Sequence, residues 1–139
     1  MLEVQIIKKL ESFILETAFE ASDCMGILGA SGSGKSMTLK CIAGIETPDE
    51  GRSCLGGRVL FDSKRGINLS PQERKIGYLF QNYALFPNMT VEENIGVGLQ
   101  KTKARSQEMI NAEIREMVER FGLRGLEKQY PSHLSGGEQ

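Results

Sequence analysis

The sequence predicts an α/β fold: an antiparallel β part at the N-terminus, a core organised around a glycine-rich loop, and a helical part towards the C-terminus. Three observations carry this. Residues 2–6 (Leu2-Glu3-Val4-Gln5-Ile6) and 13–19 alternate apolar and polar, with Phe13, Leu15 and Phe19 on one face. Period two of this kind belongs to antiparallel strands with one buried face. Next, the apolar run Cys24-Met25-Gly26-Ile27-Leu28 leads into Gly29-Ala30-Ser31-Gly32-Ser33-Gly34-Lys35-Ser36 and then a mostly apolar stretch of helix formers from Met37 to Ala43. Strand, glycine loop and helix is the order an α/β core requires. Finally, beyond Thr90 the apolar residues recur at helical spacing.

The polar stretch from Lys8 to Ser12 links the first two strands, and the run at residues 24–28 reads as a buried strand. Gly44 offers a stop for the helix after the loop. Thr47-Pro48-Asp49-Glu50-Gly51 has Pro and Gly where a turn needs them. Gly56-Gly57 between Ser53-Cys54-Leu55 and Arg58-Val59-Leu60-Phe61 signals a two-residue hairpin. Ser70-Pro71-Gln72-Glu73-Arg74 leads into Lys75-Ile76-Gly77-Tyr78-Leu79-Phe80, which reads as a second buried strand ending at Gln81. Ligands of open α/β sheets bind beyond the carboxyl ends of strands, so Gln81 and the loop are expected at one edge. Thr90 and Glu93 form a capping box. Ser106 caps a longer helix with Ile110, Ile114, Met117, Val118 and Phe121 on its core side, ending at Gly122. Residues 101–105 read as a solvated linker. His133, the sole histidine, has no carboxylate or cysteine pattern around it and reads as incidental.

Composition bounds the function classes. A chain of 139 residues, 40% hydrophobic and 25% charged, fits one globular domain. We expect it to divide into a core carrying the glycine-rich loop at residues 1–87 and a partial helical subdomain at 88–139. A net charge of −1 gives no reason to expect nucleic acid. Cys24, Cys41 and Cys54 lack metal spacing; the segments around Cys24 and Cys41 read as buried, and reduced thiols in a cytosolic protein are expected. No stretch reaches the about 18 apolar residues of a membrane span, so a membrane role would come through a partner.

The loop carries the chemistry. Residues 29–36 fit G-x-x-x-x-G-K-[ST], whose glycines let successive backbone N–H groups turn inward around phosphate oxygens. The helix starting near Gly34 adds its partial positive charge. Lys35 would reach the β- and γ-phosphates, and the Ser36 hydroxyl would be a Mg²⁺ ligand. The loop therefore implies a nucleoside triphosphate, ATP or GTP. No N-K-x-D stands in the chain for guanine. Gln81 can offer its carbonyl oxygen to Mg²⁺. At the other end, Leu134-Ser135-Gly136-Gly137-Glu138-Gln139 pairs Ser135 with Glu138 as a capping box and bares the N–H groups of Gly136 and Gly137, a second anion-binding device.

Together with Tyr78-Leu79-Phe80-Gln81, Leu85-Phe86-Pro87 and Thr90-Val91-Glu92-Glu93-Asn94, these motifs resemble the ATP-binding subunits of ABC transporters, in the order Walker A, Q-loop and signature. The resemblance spans the chain. Gly57 to Asp62, with Asn68-Leu69-Ser70-Pro71, is similar to bacterial molybdate-type importers. It implies a P-loop ATPase core with ATP and Mg²⁺ as ligands: Gly29, Ala30, Ser31, Gly32, Ser33, Gly34, Lys35, Ser36 and Met37 on the phosphates, and Ser36 and Gln81 on the metal. It also implies a head-to-tail homodimer in which Ser135, Gly136, Gly137 and Glu138 meet the partner's nucleotide. Residues 82–93 (Asn82 to Glu93) would contact a permease at the cytoplasmic face of a bacterial membrane. An aromatic residue usually stacks on adenine; Leu10 and Phe13 are the nearby candidates, and Phe13 fits the strand core equally well. The family's Walker B aspartate, catalytic glutamate and switch histidine have no counterparts before Gln139, and His133 precedes the signature. The chain as it stands is thus expected to bind nucleotide weakly and hydrolyse little or none. A non-transport ABC ATPase and a small P-loop kinase or GTPase are the alternatives, the last leaving residues 134–139 without a purpose.

Overall fold

The N-terminal alternation folds as a hairpin. In the computed structural model, which describes residues 1–81, 83–99 and 106–139, β1 (Leu2–Lys9) and β2 (Ile14–Ala21) pair antiparallel, with Leu2 opposite Ala21 and Lys9 opposite Ile14. The other edge of β1 pairs with β3 (Glu50–Leu55), and β3 turns through Gly56-Gly57 into β4 (Arg58–Asp62). Both turn glycines have positive φ, 56° and 80°, the two-residue geometry that matches strand twist. A short β5 (Ile67–Asn68) completes a sheet ordered β2-β1-β3-β4-β5. Each of its pairings is antiparallel.

Val4 and Ile6 point inward from β1 while Gln5 between them is exposed. They pack with Phe61 of β4 and with Cys41 and Ile42 of α1 (Lys35–Ala43). Met37, Phe19, Leu2 and Ile76 close the edges of this cluster. Burying each such aliphatic side chain is worth about 1.5–3 kcal/mol, so the sheet is what anchors α1. Gly51, expected in a turn, lies inside β3 opposite Ile6. A β-carbon there would stand 2.1 Å from the Gln5 carbonyl oxygen. The glycine is needed for close approach of two strands, not for a bend.

Two expected strands are not formed. Residues 24–28 join no sheet among the described residues, and Leu28 is 95% exposed. Residues 75–80 likewise form no strand, and Leu79 is 78% exposed. An apolar run becomes a buried strand only when neighbours pair its N–H and C=O groups on both sides; the antiparallel strands here pair among themselves. Cys24, expected buried, is consequently exposed, while Cys41 and Cys54 are buried.

The chain divides into two units, Met1–Tyr78 and Leu79–Gln139, nine residues earlier than the expected break after Pro87. In the second unit, α2 having ended the first (Pro71–Arg74), the helices are α3 (Val91–Val97) and α4 (Gln107–Arg120). Thr90 and Glu93 close the expected capping box, and the Ser106 hydroxyl accepts from the Met109 amide. The free amides of Val91 and Glu92 donate to the carbonyls of Gln129 and Glu127, so the returning chain satisfies the start of α3. The apolar stripe of α4 is narrower than expected: Ile110 and Val118 are buried, whereas Met117 is 38% and Phe121 67% exposed. The linker expected at residues 101–105 lies outside the described residues.

Candidate nucleotide site

The loop at residues 29–34 takes the shape its glycines allow. Gly32 and Gly34 have φ of 79° and 90°, a region that costs an L-residue. A β-carbon on Gly29 would stand 2.7 Å from the Ser33 hydroxyl, and one on Gly34 would stand 2.7 Å from Cδ1 of Leu15. The Ser33 amide donates to the Ala30 carbonyl, tightening the turn, and the Thr38 amide and hydroxyl both return to the Gly34 carbonyl. Helix α1 therefore starts directly from the loop, with no acidic residue in its first turn to offset the positive end of its dipole.

Lys35 arches back over the loop. Its Nζ donates to the Gly29 carbonyl at 2.8 Å and the Ala30 carbonyl at 2.7 Å. The ammonium is held above the backbone that would surround a phosphate. Ser31, Gly32, Ser33 and Ser36 are exposed and available to a ligand. The Met37 side chain packs against the core, so only its backbone amide could meet a ligand. Among the described residues no cluster of His, Cys, Asp or Glu could hold a metal ion. Mg²⁺ favours one or two protein oxygens together with substrate phosphates and water. The Ser36 hydroxyl fits that donor set.

Phe13 lies two residues before Leu15 at the mouth of the β1–β2 hairpin, where its carbonyl accepts from the Leu10 amide. It stands one residue before β2 and is 36% exposed, while Leu15, two residues on, is the side chain that meets Gly34.

The remaining sequence-predicted residues belong to the second unit. Gln81 is exposed in a turn, not at the end of a strand, because residues 75–80 join no sheet. At the signature, the amide and hydroxyl of Ser135 donate to the same Glu138 oxygen at 2.7 and 2.6 Å. These bonds hold the Glu138 carboxyl below its ordinary acidity range. The Gln139 amide group donates to the carbonyls of Pro131 and Leu134, closing the turn. Gly136 and Gly137 are exposed with open space where a β-carbon would be. His133 stacks edge-on with Tyr130.

Two residues were not foreseen. Asn94 pins residues 86–90: its Oδ1 accepts from the Phe86 amide and its Nδ2 donates to the carbonyls of Phe86, Met89 and Thr90. Its position one residue after a capping box was the available signal. Arg74, at 2% exposed, is the largest fully buried side chain among the described residues. In sequence it ends a polar segment and looks like any solvated arginine.

Against known families, the chain matches the family described as ABC transporter over residues 14–139. It belongs to that family. A sulfate/thiosulfate import ATP-binding protein of Synechococcus elongatus is 41% identical over 139 residues, covering 97% of this chain and 38% of the relative. A molybdenum import ATP-binding protein of Rhodospirillum rubrum is 34% identical, covering 100% of this chain and 37% of the relative. Among solved structures, a dimeric ATP-binding cassette bound to ADP and phosphate in a post-hydrolysis state superposes with a TM-score of 0.77. It is 25% identical, over 99% of this chain and 65% of that one. This ABC chain thus spans less than two fifths of the length of these curated relatives. Its fold is that of the ABC ATPases.

Proposed function

We propose that this chain is the nucleotide-binding part of an ABC importer's ATP-binding subunit, with ATP and Mg²⁺ as its ligands. The observation that carries the reading is the loop itself. Its glycines open the backbone inward, Lys35 is poised over it, and α1 starts from it with an uncompensated positive end. Residues 29–36 hold the phosphates through backbone N–H groups and Lys35, and Phe13 stacks on adenine. The Ser36 hydroxyl would hold a Mg²⁺, which would supply positive charge against the phosphates. Lys35 exchanges its bonds to two neutral carbonyls for bonds to anionic phosphate oxygens, so that both partners carry charge.

In the full-length subunit, two copies pair head to tail. Ser135, Gly136 and Gly137 then meet the γ-phosphate bound by the partner copy. Glu138 serves as the cap that orders this turn, since a carboxylate facing a phosphate would set two anions against each other. Pairing driven by ATP and parting driven by its hydrolysis move permease subunits, contacted through residues 82–93, at the cytoplasmic face of the membrane. For the solute we favour an oxyanion such as molybdate, on the similarity of residues 57–62 and 68–71 to molybdate-type importers, while relatives 41% identical are named for import of spermidine/putrescine and of trehalose/maltose.

Calorimetric titration of the 139-residue chain with Mg-ATP tests this. We expect binding that Lys35→Ala weakens by about tenfold or more, the scale of a lost charge-assisted contact. Equal affinity in the variant would sink the assignment of the loop. Retrieval of the full-length subunit without any permease would favour a non-transport ABC ATPase.

A further inference from the structure

The guanidinium of Arg74 sits at the far end of the phosphate-binding helix. Its Nη1 donates to the carbonyls of Cys41 and Ile42 at 2.7 and 2.8 Å. Its Nε donates to the Leu69 carbonyl at 2.8 Å, and its Nη2 to Oδ1 of Asn68 at 2.9 Å. A β-carbon on Gly44 would stand 2.6 Å from Nε, so the glycine that ends α1 also makes room for the cation.

Burying a charge is expensive unless it is answered. Among the described residues no carboxylate pairs with Arg74. Its charge is met by carbonyl and amide oxygens and by the negative end of α1. Burial lowers its pKa from the ordinary value, but an arginine stays protonated. The Gly44 and Ile45 amides already satisfy the carbonyls of Cys41 and Lys40. The Lys40 and Cys41 carbonyls are thus met without Arg74, which adds a bond to the Ile42 carbonyl; one such bond does not by itself explain a buried cation.

What the fork adds is direction. Core packing of Cys41 and Ile42 on the sheet holds α1 down, yet apolar contact is non-directional and resists sliding weakly. The planar guanidinium fixes both carbonyls relative to Asn68 and Leu69 at once. Helix α1 is about 14 Å long at 1.5 Å per residue, and it is stiff, so an axial shift at Cys41 appears undiminished at Gly34 and Lys35.

We propose that Arg74 is a positioning residue for the phosphate loop, setting how far the N–H groups at the start of α1 and the Lys35 ammonium stand towards the phosphates. This rests on the nucleotide reading given above. The effect must grow with the number of phosphates the loop touches, because adenine and ribose make no contact with α1's N-terminus in that reading. A merely structural arginine would instead lower the folded fraction and weaken every ligand alike.

The test is Arg74→Lys in the 139-residue chain, titrated with ATP, ADP and AMP, with circular dichroism and melting recorded alongside. Lysine keeps the charge but cannot hold oxygens in a planar fork. We expect a folded variant whose ATP affinity falls about tenfold, a common size for coupling between distant groups, with ADP losing less and AMP least. Equal losses for all three ligands, or no loss, would overturn the proposal. Wild-type chain binding none of the three would overturn it together with the nucleotide reading. Should the variant not fold, the wild type still decides. Linkage is reciprocal, so saturating ATP should slow solvent exchange of the Arg74 Nε proton several-fold more than AMP does. An exchange rate indifferent to ATP sinks the proposal.

Discussion

Cδ1 of Leu15 lies where the β-carbon of any other residue at Gly34 would come within 2.7 Å of it. Strand β2 and the last glycine of the loop are therefore fitted to each other, and Leu15 is 6% exposed, with nowhere to retreat. Gly34 also has φ of 90°. We expect Gly34→Ala to lose about 1–2 kcal/mol to the left-handed backbone and a further amount to the displaced leucine. Adding Leu15→Ala should remove only the second part. In urea melts of the single and double variants, a coupling of about 0.5 kcal/mol or more is the expected result. Strict additivity would show that the two residues do not bear on each other.

What was legible in the sequence was local. The hairpins, the loop, the stop at Gly44 and the caps at Thr90 and Ser106 each depend on a few neighbouring residues and appear where expected. The runs at residues 24–28 and 75–80 were misjudged because hydrophobicity records a preference for burial, while strand formation depends on who pairs with the backbone. The ABC resemblance came from motif order and needed no packing at all. Arg74 was illegible for the opposite reason: its partners Cys41 and Ile42 lie more than 30 residues away, and nothing nearby marks it as buried.

Ser53 offers a stabilising change. It sits in β3 opposite Val4 and Phe61, beside the bulge between Ser53 and Cys54, and is 2% exposed. Its hydroxyl has no hydrogen-bond partner among the described residues. Removing a buried hydroxyl that bonds nothing recovers its desolvation cost, so Ser53→Ala should raise stability by about 1 kcal/mol. A urea midpoint that falls instead would mean the hydroxyl has a partner.

The cap of α3 makes that helix sensitive to acid. Glu93 accepts from the Thr90 amide at 2.7 Å, and this bond with the Thr90 backbone, then the contact with its side chain, holds the carboxyl below its ordinary 4.5. A depressed folded value means the stabilisation is present above the unfolded pKa and is lost as pH falls through the folded one. Wild-type helicity should therefore decline below about pH 4.5. Thr90→Ala should cost about 1 kcal/mol at pH 7 but keep most of the acid limb, because the backbone N–H of residue 90 still donates to Glu93; Glu93→Gln should flatten that limb, because no lowered carboxyl is left to protonate. Parallel limbs for wild type and Glu93→Gln by far-UV circular dichroism would exclude the box as the cause.

Thiol labelling separates the three cysteines and reports on the loop. Cys24 is exposed, whereas Cys41 and Cys54 are 1% and 2% exposed, and burial pushes the Cys41 thiol up. Because the thiolate is the reactive form, Cys24 should react at once and the other two only when the chain opens. Cys24→Ser should abolish the fast phase and leave the slow one. Cys41 lies in the helix that starts from the loop, so any opening that frees it also dismantles the nucleotide site. A ligand that binds only the closed form slows such opening in proportion to its occupancy, about a hundredfold at a hundred times its Kd. Saturating ATP should therefore slow labelling of Cys41 by that order and leave Cys24 unchanged. Labelling of Cys41 indifferent to ATP would mean that α1 opens without disturbing the bound nucleotide.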